Sequence, residues 1–307
     1  MSGLERLTLV SNPYAGKGKG GRVLPEVVRR LTRQLPDTQL DIHETRTFAE
    51  ARRQIRYAVE RAADAPELEA LMVMGGDGMM TLGVDACAGT DVPLGMIPAG
   101  TGNDMSRGFG LHGVDPLFAL RRVIAGHTRH VDALRVRGDL SDGESERHVG
   151  TIVATGFDAD VNRRANEMTL PIGNLRYLAS VGTEIRHFRP MEYRLTIDGQ
   201  VRELEAILVS VGNTKYFGGG IKICPDADPT DGLLDVTIVH PVPRAVLVAM
   251  FPSILPGWFI HLPVVETFRA RSVRVEGPEV IAMGDGELLG HGPIDIDVRP
   301  RALRIFG

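Results

Sequence analysis

The sequence predicts an α/β domain built on a parallel sheet, followed by a second, mainly antiparallel β domain. Three observations predict it. Up to about His130, short apolar runs alternate with stretches of helical periodicity, the grammar of parallel strands joined by right-handed crossovers. Beyond that point alternating strand-like segments take over, punctuated by Asp-Gly turns. The 307 residues also exceed the usual size of one hydrophobic core. The boundaries drawn on this basis are 1–130, with 299–307 returning to the first domain, and 131–298.

A buried strand over 7–11 opens the chain, followed by a glycine-rich turn over 12–21. A helix comes next, with Val23, Leu24, Val27, Val28, Leu31 and Leu35 at helical spacing and Pro25 in its first turn. A second strand covers 39–44, and Thr47-x-x-Glu50 is a capping box for a helix beginning near Phe48. A third strand, 71–74, runs straight into Gly75-Gly76-Asp77-Gly78. A fourth, 93–97, runs into the loop from Pro98 to Asp104. Further strands are predicted over 131–136, 149–155, 193–197, 204–211, 234–239, 272–275 and 294–298. Helical insertions near 174–187 and 244–255 interrupt them.

Composition narrows the function. Lys and Arg total 35 against 39 for Asp and Glu, a net charge of −4 that excludes general nucleic-acid electrostatics. Cys87 and Cys224 have no metal-ligand spacing. With no signal-peptide pattern at the start, buried thiols in a cytoplasmic protein are expected. The most apolar stretch, 242–268, is broken by Pro243, Arg244, Pro252, Pro256, His261 and Pro263, so it does not span a bilayer. Glycine, at 36 residues, is well above the roughly 7 % of average usage and concentrates in loops.

Those loops carry the chemistry. Gly16-x-Gly18-x-x-Gly21, with Asp41 further on, has the spacing of a dinucleotide-binding fingerprint. The intervening Asn12-Pro13-Tyr14-Ala15 weighs against it, and Arg22-Val23 after Gly21 excludes a Walker A loop. Lys17 and Lys19 suit either an approaching polyphosphate or a solvated turn. The loops at 75–78 and 98–104 are more specific together, because each ends a strand where ligands bind in such sheets. Glycine there lets backbone N–H groups approach phosphate oxygens, and Asp77 offers a carboxylate for Mg²⁺. Taken singly, each is also an ordinary tight turn, and Asn103-Asp104 is also a helix cap.

Asn12-Pro13-x-Ala15-Gly16, Gly75-Gly76-Asp77-Gly78 and Pro98-x-Gly100-Thr101-x-Asn103-Asp104 resemble the diacylglycerol kinase catalytic family. The bacterial soluble lipid kinases are the nearest likeness, with sphingosine and ceramide kinases further off. Gly156-Phe157-Asp158-Ala159, Asn213, Pro225-Asp226-Ala227, Asp231-Gly232 and Asp285-Gly286-Glu287 follow in family order, so the resemblance covers nearly the whole chain. It implies an NAD kinase/phosphofructokinase-like α/β nucleotide-binding domain, a β-sandwich second domain and ATP in the cleft between them. It also implies that Asn12, Gly75, Gly76, Asp77, Gly78, Met79, Met80 and Thr81 bind the nucleotide, joined by Thr45, Thr101 and Asn103. Asp77 and Asp104 would act catalytically by organising Mg²⁺ and the γ-phosphate together with Asn103, and Asp132 would join through water. Glu287 would be the general base for a lipid hydroxyl. The carbonyls of Asp228 and Leu233 and the side chain of Asp231 would hold a structural Mg²⁺. Without the family, Asp285-Gly286 is first a hairpin turn and 226–233 a solvated loop.

Two departures stand out. Where the family loop continues with Thr and, three residues later, Glu, this chain has Met79 and Leu82. They motivate an alternative reading as a catalytically impaired nucleotide- or lipid-binding protein. NAD kinase is the nearer rival; its usual Asn-Glu pair has one counterpart here, Asn166-Glu167, outside the corresponding context. The lipid partner at a membrane surface is written only faintly. Phe251, Ile254, Leu255, Trp258, Phe259 and Leu262 suit an acyl pocket, an interface or a core, and 216–220 suits a cleft mouth or a turn. A cytoplasmic enzyme that visits the inner face of the membrane is expected, and a homo-oligomer is compatible with the sequence.

Overall fold

The computed structural model describes residues 4–111, 115–156 and 189–307. The Phe157-Asp158-Ala159 motif, Asn166-Glu167, the helix predicted near 174–187 and the side chain of Phe251 lie outside the described residues. The chain divides into two compact units, Met1–Val131 with Arg301–Gly307, and Asp132–Pro300.

In the N-terminal unit, strands β1 (Arg6–Ser11), β2 (Gln39–Glu44), β3 (Glu69–Gly75) and β4 (Leu94–Pro98) form a parallel sheet in the order β4-β3-β1-β2. The returning C-terminus adds Ile305 beside Leu94, also parallel. β3 and β4 are almost wholly buried, as expected for parallel strands covered on both faces. Helices α1 (Ala15–Gln34), α2 (Phe48–Ala62), α3 (Asp77–Cys87), α4 (Asp104–Gly108) and α5 (Pro116–Ala125) complete the unit. Leu24, Val27 and Leu31 of α1 join Leu7, Leu9, Met72 and Met74 in one core. The capping box is half realised: Thr47 Oγ1 accepts the Glu50 N–H at 3.1 Å, while the Glu50 carboxylate accepts the N–H of Arg46, one residue before the cap, at 2.8 Å.

The turn predicted over 12–21 is shorter than expected. Only Gly16, Lys17 and Gly18 leave helical geometry, so Pro25 lies inside α1 instead of in its first turn. Gly20 is glycine for packing: a Cβ there would stand 2.5 Å from the Asn12 carbonyl oxygen.

The C-terminal unit begins within β5 (Thr128–Leu140), which pairs with β6 (Glu146–Val149). β7 (Ile152–Gly156), β8 (Met191–Ile197), β9 (Gln200–Ala206), β10 (Leu208–Gly212) and the small hairpin β11 (Tyr216–Phe217) and β12 (Ile221–Lys222) follow. After β13 (Leu234–Val239) come helix α6 (Arg244–Ile254) and a 3₁₀ turn, Trp258–His261. β14 (Val265–Ala270), β15 (Ser272–Glu276), β16 (Ile281–Gly284) and the long β17 (Glu287–Phe306) close the chain. One antiparallel ladder runs β14-β13-β10-β7-β16-β17 and another runs β9-β8-β15-β17. Leu134, Val153, Val209, Val236, Val273 and Ile294 share the core. The strands predicted over 149–155 and 204–211 are each broken, at Gly150-Thr151 and at Ile207. Among the described residues no helix is long and apolar enough to cross a membrane.

Candidate functional site

The ladders of the N-terminal unit bring three strand ends level, pairing Ser11 with Met74 and Gly75 with Pro98. Backbone bonds continue past the strands: Asn12 N–H donates to Met74 O at 2.9 Å and Ala99 N–H to Gly75 O at 2.7 Å. The loops then pack backbone against backbone. Gly16, at φ +58°, approaches so closely that a Cβ would overlap the Ala99 carbonyl oxygen, and a Cβ on Gly100 would overlap Gly76 Cα.

Asp77 opens α3 and ties the loops together. Its Oδ2 accepts Asn103 N–H at 2.7 Å and its Oδ1 accepts Met105 N–H at 3.3 Å. Burial pushes its carboxyl above the usual aspartate value, against the lowering effect of these backbone donors and of Arg107. Asn103, left-handed at φ 56°, locks its own loop: Oδ1 accepts Gly100 N–H at 3.0 Å and Nδ2 donates to Gly100 O at 3.1 Å. It stands before α4, yet its side chain makes no capping bond. Asp104 accepts from Arg107 at 2.8 Å. Gly76, Asp77 and Gly78 remain partly accessible, and the first N–H groups of α3 have no helical acceptor, which suits an anion.

The other residues implied by the resemblance are arranged unevenly. Thr101 is exposed. Asn12 uses Oδ1 on Tyr14 N–H at 2.9 Å. Thr45 is buried and donates its hydroxyl to Ser11 O at 3.0 Å, so it is not a solvated strand end. Thr81 is buried and donates to Asp77 O at 3.0 Å, and Met80 is core. Met79 and Leu82 are also buried, Met79 lying so close over Gly75 that no Cβ fits there. A glutamate at 82 would bury a charge in this packing.

In the C-terminal unit, Gly284 pairs with Glu287 across a two-residue turn. Asp285 (φ 50°) and Gly286 (φ 83°) are both left-handed, as a type I′ hairpin requires. Asp285 Oδ2 accepts Gly150 N–H at 2.9 Å, while Oδ1 accepts Thr151 N–H at 2.8 Å and the Thr151 hydroxyl. This clamp occupies the break between β6 and β7. Asn213 Nδ2 donates to Gly150 O and to Asp132 O, both at 2.9 Å, and Asp132 Oδ2 accepts Gly232 N–H at 2.8 Å. A bonded chain thus links the 228–233 loop to the hairpin bearing Glu287. The Glu287 side chain reaches solvent, yet the protein around it raises its carboxyl above the ordinary glutamate value, with Arg147 opposing. Arg147 itself is nearly buried and paired with Asp142.

Within the 228–233 loop, Asp228 Oδ1 accepts Thr230 N–H at 3.0 Å and Asp231 Oδ1 accepts Leu233 N–H at 3.0 Å. The Asp228 carbonyl accepts Asp231 N–H at 3.4 Å. Among the described residues no three His, Cys, Asp or Glu side chains cluster to hold a metal ion. The donors implied here are one carboxylate and two carbonyls, an all-oxygen set that suits Mg²⁺. Thr151, Arg147 and Asp142 escaped the sequence reading: Thr151 matters through Asp285, 134 positions along the chain, and no motif marks the Arg147–Asp142 pair.

A parallel-sheet unit with backbone-lined loops, joined to an antiparallel β unit, places the chain among the phosphotransferases that use an alcohol acceptor. Residues 6–136 match the diacylglycerol kinase catalytic domain model, and 151–307 match the YegS C-terminal NAD kinase beta sandwich-like domain. A diacylglycerol kinase of Mycobacterium tuberculosis is 38% identical, covering 98% of this chain and 94% of the relative. A diacylglycerol kinase of Bacillus subtilis is 26% identical, covering 94% and 92%. A crystal structure of a diacylglycerol kinase from Bacillus anthracis aligns with a TM-score of 0.73 at 22% identity, over 100% of this chain and 98% of that one, a likeness of fold. The chain belongs to the diacylglycerol kinase family.

Proposed function

We propose that this chain is an ATP- and Mg²⁺-dependent lipid kinase that phosphorylates a hydroxyl of a diacylglycerol-like or related lipid. The observation that carries the reading is the convergence of the 12–18, 75–78 and 98–104 loops, backbone to backbone, beside the N-terminus of α3. Gly75, Gly76, Gly78 and the start of α3 cradle the phosphates through N–H groups, with Asn12 and Thr101 alongside. Met79, Met80, Thr81 and Thr45 support these loops by packing and hydrogen bonding.

Asp77 and Asp104 are the hard oxygen donors facing this chemistry, and the unfavourable burial of the Asp77 charge is what a divalent cation would relieve. When bound, Mg²⁺ neutralises phosphate charge. Asn103 holds the loop that carries Asp104. Asp228, Asp231 and Leu233 hold a second, structural Mg²⁺.

Glu287 accepts the proton of the lipid hydroxyl. The freed oxygen bonds to the γ-phosphorus as the bond to the bridging oxygen of ADP breaks. The protein packed around Glu287 suits it to this work by raising its proton affinity. The enzyme works peripherally at the cytoplasmic face of the membrane.

The test is incubation with labelled ATP, Mg²⁺ and either extracted lipids or NAD. Label in the organic phase supports the proposal; label on NAD reverses it toward NAD kinase. Nucleotide binding without transfer favours a binding protein. Glu287→Gln should abolish transfer and spare ATP binding, and near-normal turnover in that variant sinks the assignment of the base.

A further inference from the structure

Helix α6 is apolar on both sides, which a surface helix cannot be without a partner. Its inner side, Leu247 and Met250, is buried with Phe217, Ile221, Ile223 and Phe259. Its outer side, Ala245, Val248, Ala249, Pro252 and Leu255, is exposed, and its one charged residue is Arg244 at the N-terminal end. Val248, Pro252 and Leu255 fall on one face by helical spacing. Val248 is 55% exposed, Leu255 50%, and Trp258, just beyond the helix, 69%. Exposure this large on apolar side chains of one short segment marks a docking surface and separates them from the core residues beside them.

Charge selects the occupant. Between Asp235 and Glu266 the only formally charged residue is Arg244, whereas the whole chain carries −4. This stretch therefore meets an anionic surface without the repulsion the rest of the molecule exerts. An indole at the border of an apolar patch is the side chain suited to the headgroup level of a bilayer. We propose that the outer face of α6, with Trp258, is the surface by which the protein docks on an anionic lipid bilayer. The inference rests on the lipid-kinase reading for its purpose, since a bilayer-borne acceptor has to be met at the surface. Val248, Leu255 and Trp258 enter the interfacial layer and the helix lies in its plane.

Trp258 is the single tryptophan and so reports its own insertion. The intact chain, without ATP, is titrated with vesicles of phosphatidylglycerol and phosphatidylethanolamine that contain no diacylglycerol. The expected result is a blue shift of Trp258 emission with co-sedimentation. A Val248→Glu/Leu255→Glu variant should lower vesicle partitioning at least about tenfold, while turnover of a water-soluble short-chain acceptor stays unchanged. Emission that does not move overturns the proposal. So does vesicle binding that survives the double variant, or a dimer that the variant dissociates while vesicle binding persists. Failure of the kinase reading shows separately, as absent phosphate transfer with the emission shift intact.

Discussion

Asp285→Ala removes three hydrogen bonds accepted by one carboxylate, from Gly150 N–H at 2.9 Å, Thr151 N–H at 2.8 Å and the Thr151 hydroxyl. A hydrogen bond to a charged group is worth roughly 1.5–3 kcal/mol. Three on one half-buried carboxylate do not add fully, because water replaces part of them. Alanine also tolerates the left-handed φ of 50° less well than aspartate, by about 1 kcal/mol. The expected loss is roughly 3 kcal/mol. With a urea dependence of about 2 kcal/mol per molar, the midpoint should fall by roughly 1.5 M. Trp258 lies in the same unit and reads that transition. Glu287 stands two residues beyond, so turnover should drop about 100-fold if the base moves by about 1 Å. Nucleotide binding should hold, and Asp285→Asn, which keeps an acceptor and tolerates the turn, should fall between. An Asp285→Ala chain with the parent urea midpoint and turnover refutes the clamp.

Glu287 titrates above the ordinary glutamate range because its surroundings disfavour the charge, so the acid limb of the rate profile should lie above the usual carboxylate value. Its folded-state proton affinity exceeds the unfolded one, so Glu287→Gln should be at least as stable as the parent at pH 7, the difference closing as pH falls; a stability loss at pH 7 contradicts this. A Gly100→Ala Cβ would overlap Gly76 Cα and stand 2.9 Å from Asn103 Oδ1. Spreading the loops should cost roughly 1–3 kcal/mol and abolish thermal protection by nucleotide, read by differential scanning fluorimetry. Asp235 is buried, its Oδ2 has no hydrogen-bond partner among the described residues, and burial raises its carboxyl. The parent should therefore gain stability relative to Asp235→Asn as pH falls through the folded-state value, and urea melts at neutral and acid pH check the sign.

What the sequence made legible follows from where the signals are local. Parallel strands buried on both faces show as apolar runs, and the Thr47–Glu50 box shows because its bonds close within four residues. The extent of α1 did not show, because Gly20 reads as a turn residue until the Asn12 carbonyl is seen against it. Nor did the break at Ile207, where an unbroken apolar run changes partners from β8 to β7 and β13. Asp77 is the subtler case. An acid among glycines suggests a cation, and the same acid is what two backbone donors of the neighbouring loop require.

That double meaning recurs at every Asp-Gly pair in the chain: 77–78, 142–143, 198–199, 231–232 and 285–286. In each, the aspartate accepts backbone N–H groups. The backbone donors to Asp142 and Asp231 lie only two residues on, at Glu144 and Leu233, while their other carboxylate oxygens face Arg147 and Arg269. Asp77, Asp198 and Asp285 reach other elements. Asp198 repeats the Asp285 constellation: left-handed in a two-residue hairpin, it accepts Arg271 N–H and Ser272 N–H, both at 2.9 Å, and the Ser272 hydroxyl at 3.2 Å. It carries no base beyond its turn, since Gln200 follows Gly199. Long reach therefore does not mark function by itself, and Asp198 is the internal control. Being more exposed than Asp285, it should lose less in Asp198→Ala, roughly 1–2 kcal/mol by the urea melt. Turnover should stay at the parent level. If Asp198→Ala lost turnover as steeply as Asp285→Ala, the effect at Asp285 would be general loosening of the unit, and its claim to position Glu287 would fall.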